Sequence, residues 1–299
     1  MSIIPNAIYG GIIGDMVGSV YENNPCLKNK VDSFPLWTGK AKLKKKMHES
    51  QRVGSRFTDD TVTGLAVAKT LMEIKDFKDD NAVKRAFAKN MKDLCPLYEW
   101  AGYGSRFWVW LTAPEGNLNN EPYQSYGNGS AMRVFPVGLM FDSLEETRRI
   151  ARLSAVITHD HEEGVKGAEA VASAMFLARA GKDKDEIRRY IINEFATTDY
   201  YTLNKSCNEI RPEYKFDVSC QGSVPESIQC FLEGKNYEEC VRLAVSLGGD
   251  ADTMGCIAGA IAACIYPIPA KMIKQARARL TPELRGIADG FNEFLNVKE

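Results

Sequence analysis

An all-α fold in a single domain is what this sequence predicts, on three observations. Apolar residues recur at helical spacing through most of the 299-residue chain, and strand-like alternation is nearly absent. Thr253 to Tyr266 carries no charge and is apolar on every side, the pattern of a helix buried in the centre of a molecule. No shift in composition divides residues 1–299, so one domain of a dozen or so helices is expected.

In chain order, Ala7 to Tyr21 places Gly11, Gly14 and Gly18 on one side, suiting a helix packed closely on another, with Glu22 at its end. Asn23 to Arg56 mixes Pro, Lys and polar residues without periodicity and is expected to be a long loop. Phe57-Thr58-Asp59-Asp60-Thr61 opens a helix whose apolar side is Leu65, Ala68, Leu71 and Met72, and Val83 to Leu94 defines the next. Arg106 to Thr112, aromatic and partly alternating, has the look of a strand with no partner nearby. Ser130 to Phe141 is helical, with Pro136 expected to kink or delay it. Ser143 and Asp183 each stand three residues before a Glu, the capping-box spacing, and a further helix runs through Val165, Ala172 and Phe176. Gly234 stops a helix, Asn236 starts one, and Thr281-Pro282 starts the last, with Leu284, Ile287, Phe291 and Leu295 turned inward.

A hydrophobic fraction of 44% is ample for a large core. Lys and Arg number 38 against 39 Asp and Glu, a net charge of -1 that gives no field favouring nucleic acid or an anionic membrane. Lys40 to Lys46, the one basic cluster, reads as a solvated loop. Eight Cys without a CxxC pair and no secretory signal point to reduced thiols in a cytoplasmic protein, expected to act as a monomer. With three His and no paired Cys, a bound metal is expected to be a hard cation held by oxygen.

Two short stretches concentrate chemistry. Gly248 and Gly249 permit a sharp turn, so Asp250 and Asp252 can point the same way if the segment between them is extended. Thr253 follows, and the buried helix begins there. Thr58-Asp59-Asp60 repeats the type, a hydroxyl and two carboxylates at a helix start. Taken singly, each stretch also suits N-capping and the helix dipole. If the two converge, four carboxylates raise one another's pKa, and divalent cations are the usual remedy.

These residues resemble the ADP-ribosylglycohydrolase family. The motifs are Gly14-Asp-Met-Val-Gly-Ser-Val-Tyr-Glu22, Thr58-Asp-Asp60, Gly102-Tyr-Gly104, Tyr126-Gly-Asn-Gly-Ser-Ala-Met-Arg133, Ile157-Thr-His159 and Ser246-Leu-Gly-Gly-Asp-Ala-Asp-Thr253. The resemblance implies an all-α hydrolase of ADP-ribosyl bonds with two divalent cations, Mg2+ or Mn2+. Thr58, Asp59, Asp60, Asp250, Asp252 and Thr253 look like the metal ligands, with Glu22 and Asp60 the catalytic residues. Gly102, Tyr103 and Gly104 look like the loop approaching a diphosphate. Ser125, Tyr126, Gly127, Asn128 and Gly129 look like the loop holding riboses and phosphates, and His159 like a ligand-lining histidine. Glycines in these loops would let backbone amides come close to phosphate, with the following helix adding its dipole. The wording Gly-Ser-Val-Tyr-Glu22 is similar to the branch acting on O-linked rather than arginine-linked ADP-ribose. The mostly polar stretch from Asn117 to Tyr123 supplies no obvious aromatic platform for adenine. The competing readings are a non-catalytic ADP-ribose-binding protein on this fold and a hydrolase of another nucleotide glycoside.

Overall fold

The computed structural model describes residues 4–22, 24, 28, 31–39, 54–114 and 116–298. Among them fifteen α-helices follow one another: α1 (Tyr9–Gly18), α2 (Asp59–Glu73), α3 (Asp80–Leu94), α4 (Ser105–Thr112), α5 (Gly129–Met132), α6 (Phe135–Met140), α7 (Leu144–Val156), α8 (Glu162–Arg179), α9 (Lys184–Phe195), α10 (Cys207–Ile210), α11 (Cys220–Glu233), α12 (Tyr237–Ser246), α13 (Ala251–Ala262), α14 (Ala270–Arg279) and α15 (Pro282–Lys298). No strand occurs among the described residues, only an isolated bridge between Gly127 and Ser219. The fold is all-α; its main hydrophobic core runs from Ala7 to Leu295, and a second, smaller cluster gathers Cys207, Cys230, Ala244, Leu247, Met254 and Ala258. Lys40 to Lys46 and most of the expected long loop lie outside the described residues.

At the centre, α1 and α13 lie antiparallel with their backbones in contact. Gly10, Gly14 and Gly18 fall at every fourth residue of α1, and Gly255 and Gly259 do so on α13. A Cβ on Gly255 would sit 2.6 Å from the Gly14 carbonyl oxygen, and one on Gly259 2.6 Å from that of Gly10. A Cβ on Gly14 or Gly18 would overlap the carbonyls of Gly255 or Ala251. Gly10 thus takes the place in this seam that the sequence suggested for Gly11, where an added Cβ would lie 3.1 Å from the Phe135 ring and 3.2 Å from the Cys256 sulfur. The Tyr237 hydroxyl donates to the Gly10 carbonyl at 2.7 Å, tying α12 to the pair. Because α1 ends where α13 begins, Asp15 and Glu22 come to the start of α13.

Arg106 to Thr112 belongs to α4, not a strand. Phe107, Trp110 and Leu111 share one buried helical face, with the Phe107 and Trp110 rings stacked at 5.6 Å, and no neighbouring strand competes for the backbone. Pro136 stands in the first turn of α6, which divides Ser130 to Phe141 into two short helices. Asp183 forms the complete capping box. Ser143 forms half of one, since the Glu146 carboxylate binds Arg149 at 2.8 Å instead of returning to the cap. Two helices lacked a clear apolar period in the sequence, α10 and α14. The first is started by a capping box of Ser206 and Glu209, and the second buries only Met272, Ala276 and Arg279.

The seven described cysteines are buried free thiols; Cys26 lies outside the described residues. Among the described residues no helix is long and apolar enough to cross a membrane.

Candidate active site

The first cluster is held in place from another helix. Thr58 occupies the N-cap position of α2, yet its side chain caps nothing. Asp15, fully buried on α1, caps α2 instead. Its Oδ2 accepts the N–H groups of Thr58 at 3.0 Å and Thr61 at 3.2 Å together with the Thr61 hydroxyl, and its Oδ1 accepts the Thr58 hydroxyl at 2.8 Å. Two of the backbone donors at this helix start, those of Thr58 and Thr61, are therefore satisfied from α1. Asp60 Oδ2 lies 3.1 Å from the Thr58 hydroxyl, whereas its Oδ1 is buried with no protein partner.

The second cluster forms at the start of α13. Gly248, at φ +77, makes the turn that a side chain would strain, and Asp250 follows as N-cap at φ -74, ψ 75. Asp250 does not cap the helix; its Oδ2 accepts the Asn128 side-chain amide at 2.7 Å. Asp252 lies in the first turn, and the bend at the cap, rather than an extended segment, turns the two carboxylates together. Carboxylate oxygens of Asp15, Asp60 and Asp252 come within 4.8 Å of one another, as do those of Glu22, Asp250 and Asp252. Asp252 belongs to both groups. Asp59 belongs to neither: it is half-buried, with Oδ1 3.3 Å from where a Gly102 Cβ would stand. The Thr253 N–H bonds Asp252 Oδ1 at 3.0 Å, and the Thr253 hydroxyl contacts the Met132 sulfur at 3.6 Å.

Burial, then mutual repulsion, raises the protonation of this cluster. Asp15 is pushed up to about 7, by desolvation and then by Asp252, against the bonds from Thr58 and Thr61. Asp59, Asp60 and Asp250 are pushed well above the ordinary range for the same two reasons. Glu22, exposed at the rim, is raised first by Asp252 and then by burial, with Arg56 opposing. An all-oxygen donor set with an unpartnered buried Asp60 oxygen fits a hard divalent cation, whose charge would reverse these shifts. An acid whose folded pKa is raised binds more protons folded than unfolded, so its contribution to stability falls as pH rises from about 4 through the folded pKa, about 7 for Asp15. Chelator-treated protein is expected to melt at a higher temperature at pH 6 than at pH 7.5 in thermal scans, and saturating Mn2+ to reverse that order.

The clusters form one end of a cavity of about 460 Å3. Glu22, Thr58, Asp59, Asp60, Asp250, Asp252 and Thr253 all line it, and so do Gly102, Gly104, Ser125, Gly127, Asn128, Gly129 and His159. Two expected residues do not. Tyr103 turns away to donate to the Cys95 carbonyl at 3.0 Å and stack on Trp108, while Tyr126 is 53% exposed against the edge of His161. Gly102, at φ +113, holds a backbone that a side chain would strain. The Gly127 N–H bonds Ser125 Oγ at 3.2 Å and the Asn128 N–H bonds the Val218 carbonyl at 2.8 Å, so both are used within the protein. The helix that follows, α5, is only 4 residues long, and its dipole is correspondingly slight.

His159 is buried, with Nδ1 2.7 Å from the Thr158 hydroxyl and Nε2 toward Gly127 and Gly129. Burial, then Arg133 and Arg106, holds its pKa well below the usual value, which keeps the ring neutral. Arg133, buried, bonds the Ser154 carbonyl at 2.6 Å and Thr158 at 2.9 Å, fixing this segment.

Three contributors were not singled out in the sequence. Asp15 sits inside a recognised motif, and its burial in an apolar helix without a cation nearby was the available signal. Arg106 lies over the Tyr123 ring at 4.8 Å and donates to the Tyr123 carbonyl, which makes a flat cation-aromatic wall where no aromatic platform was evident. Arg56, at the mouth, gave no signal in the sequence.

An acidic centre at the end of a polar cleft within an all-α shell defines the class, and comparison agrees: the family model described as ADP-ribosylglycohydrolase matches residues 4–298. The chain belongs to this family of hydrolases acting on glycosyl bonds. It is similar to ADP-ribosylhydrolase ARH3 of Gallus gallus, with 27% identity over 86% of this chain and 83% of the relative. Against ADP-ribosylhydrolase ARH3 of Homo sapiens the identity is 25%, over 89% and 86%. ADP-ribosylarginine hydrolase Tri1 of Pseudomonas putida (strain GB-1) is 23% identical over 88% of this chain and 70% of its own length. A solved structure, "ADP-ribosylglycohydrolase-related protein complex", shares the fold, with a TM-score of 0.69, 23% identity and coverage of 97% and 96%. The chain is an ADP-ribosyl hydrolase.

Proposed function

We propose that the protein cleaves the bond between the anomeric carbon of ADP-ribose and an acceptor oxygen, on a protein side chain or small molecule, using two divalent cations, Mg2+ or Mn2+. The observation that carries this reading is Asp252, shared by two groups of three carboxylates at the end of the cavity, with Glu22 in one of them. Thr58, Asp59, Asp60, Asp250, Asp252 and Thr253 would hold the cations, which supply Lewis-acid polarisation at the ribose end.

The remaining work falls to the chain itself. Glu22 stands where the acceptor leaves, and its raised pKa suits it to give a proton to the departing oxygen and to take one from the incoming water. Asn128, its amide shared between Asp250 Oδ2 and Ser223 Oγ, links the acidic centre to the ribose loop. Gly102 and Gly104 leave room for a diphosphate against backbone. His159, neutral, offers Nε2 to a ribose or phosphate oxygen, and the Arg106–Tyr123 wall suits a planar base. Trp100, Phe107 and Met132 supply an apolar side that limits water.

The similarity of Gly-Ser-Val-Tyr-Glu22 to the O-linked branch supports oxygen over arginine as acceptor. The test is turnover of serine-linked, arginine-linked and O-acetyl ADP-ribose measured side by side. Serine-linked substrate is expected to be fastest; exclusive turnover of the arginine linkage would overturn the acceptor assignment. Glu22→Gln is expected to retain metal and ADP-ribose binding in calorimetry while losing at least about 100-fold in single-turnover rate on the serine-linked peptide. Equal rates would remove Glu22 from the chemistry.

A further inference from the structure

We propose that Arg56 selects the acceptor, disfavouring cationic side chains such as arginine and admitting neutral or anionic ones. The proposal rests on the reading above in one respect, that the acceptor departs on the Glu22 side.

Three arginines line the cavity: Arg56, Arg106 and Arg133. Arg133 is buried and bonded to Ser154 and Thr158, and Arg106 is occupied on the Tyr123 wall. Arg56 is fixed only by its backbone, whose N–H donates to the buried Ser19 hydroxyl at 3.1 Å where α1 ends and the approach to α2 begins. Among the described residues its guanidinium has no hydrogen-bond partner. The side chain is half-buried, lines the mouth, and lies close enough to Glu22 to oppose the carboxyl's upward shift.

The position matters because Glu22 lines the same cavity. With Asp250 and Asp252 given to the proposed cations, Glu22 remains as the free carboxylate of its group, and alone it would attract a guanidinium. The positive charge of Arg56 offsets that attraction and repels a cationic acceptor at the same point. It leaves a serine hydroxyl unaffected and favours acidic residues flanking the modified one. Arg56 need not touch the reacting atoms; it acts through charge at the exit.

The experiment compares kcat/KM for serine-linked and arginine-linked ADP-ribosyl peptides of one sequence, using the metal-loaded parent, Arg56→Gln and Arg56→Glu. The preference for the serine linkage is expected to shrink about three- to tenfold in Arg56→Gln, the scale of one partly exposed charge pair, and further in Arg56→Glu. The differences should narrow at high salt, while free ADP-ribose affinity and Tm stay unchanged. A preference constant within twofold across three folded proteins overturns the proposal. If the parent turns over a peptide too slowly, the same ratio is read from the two Kd values. A parent that favours the arginine linkage contradicts the acceptor assignment alone; Arg56 is then judged by whether Arg56→Gln moves the ratio still further toward arginine.

Discussion

Asp252→Asn is expected to lower turnover by three or more orders of magnitude and, at the same time, to make the metal-free protein more stable. Both effects come from one carboxylate. Asp252 is common to the two candidate ligand groups, so its loss is expected to weaken both proposed cation positions, and several kcal/mol of charge stabilisation with them. The same charge is a cause of the raised pKa of Asp15, Glu22, Asp59, Asp60 and Asp250. Neutralising it relieves repulsion in a buried place, and a Tm a few degrees higher in chelator at pH 7.5 is the expected sign. Added metal is expected to raise the parent's Tm by mass action and the variant's little. A variant that loses activity and is also less stable in chelator would show that Asp252 serves packing instead.

The second large effect is structural. Gly14→Ala is expected to cost about 4 kcal/mol or more and to yield protein that is insoluble or melts far below the parent. The new Cβ would overlap the Gly255 carbonyl, a backbone group that cannot move without parting α1 from α13. Gly286→Ala on α15 is the control. No atom lies within 4 Å of its added Cβ, so a gain of about 0.5–1 kcal/mol is expected from helix propensity. Similar melting of the two variants would contradict the close seam.

The seam and the site are linked in the chain. The glycines on one side of Ala7 to Tyr21 were visible in the sequence and implied close helix packing, and Thr253 to Tyr266 read as a buried helix. Its partner, and the substitution of Gly10 for Gly11, were not visible, because register between two helices is a tertiary property. The hydroxyl and carboxylate pairs at 58–60 and 250–253 were legible as unusual concentrations of charge at helix starts. Their bland reading as caps fails on a distant contact, Asp15 capping α2 from another helix, and no local rule reports that. Tyr103 and Tyr126 carried the right residue type in the right motif, but side-chain direction depended on Trp108 and His161, which the motif does not contain. The strand-like reading of Arg106 to Thr112 failed because three aromatics in four residues suit a strand as well as a helix until a partner face is known.

The most direct test is a titration of chelator-stripped protein with Mn2+, reading hydrolysis of a serine-linked ADP-ribosyl peptide and bound metal together. Turnover absent in chelator and rising to a plateau at two Mn2+ per chain is the result expected here. Full turnover with chelator in excess would contradict a cation-dependent centre built on Asp252.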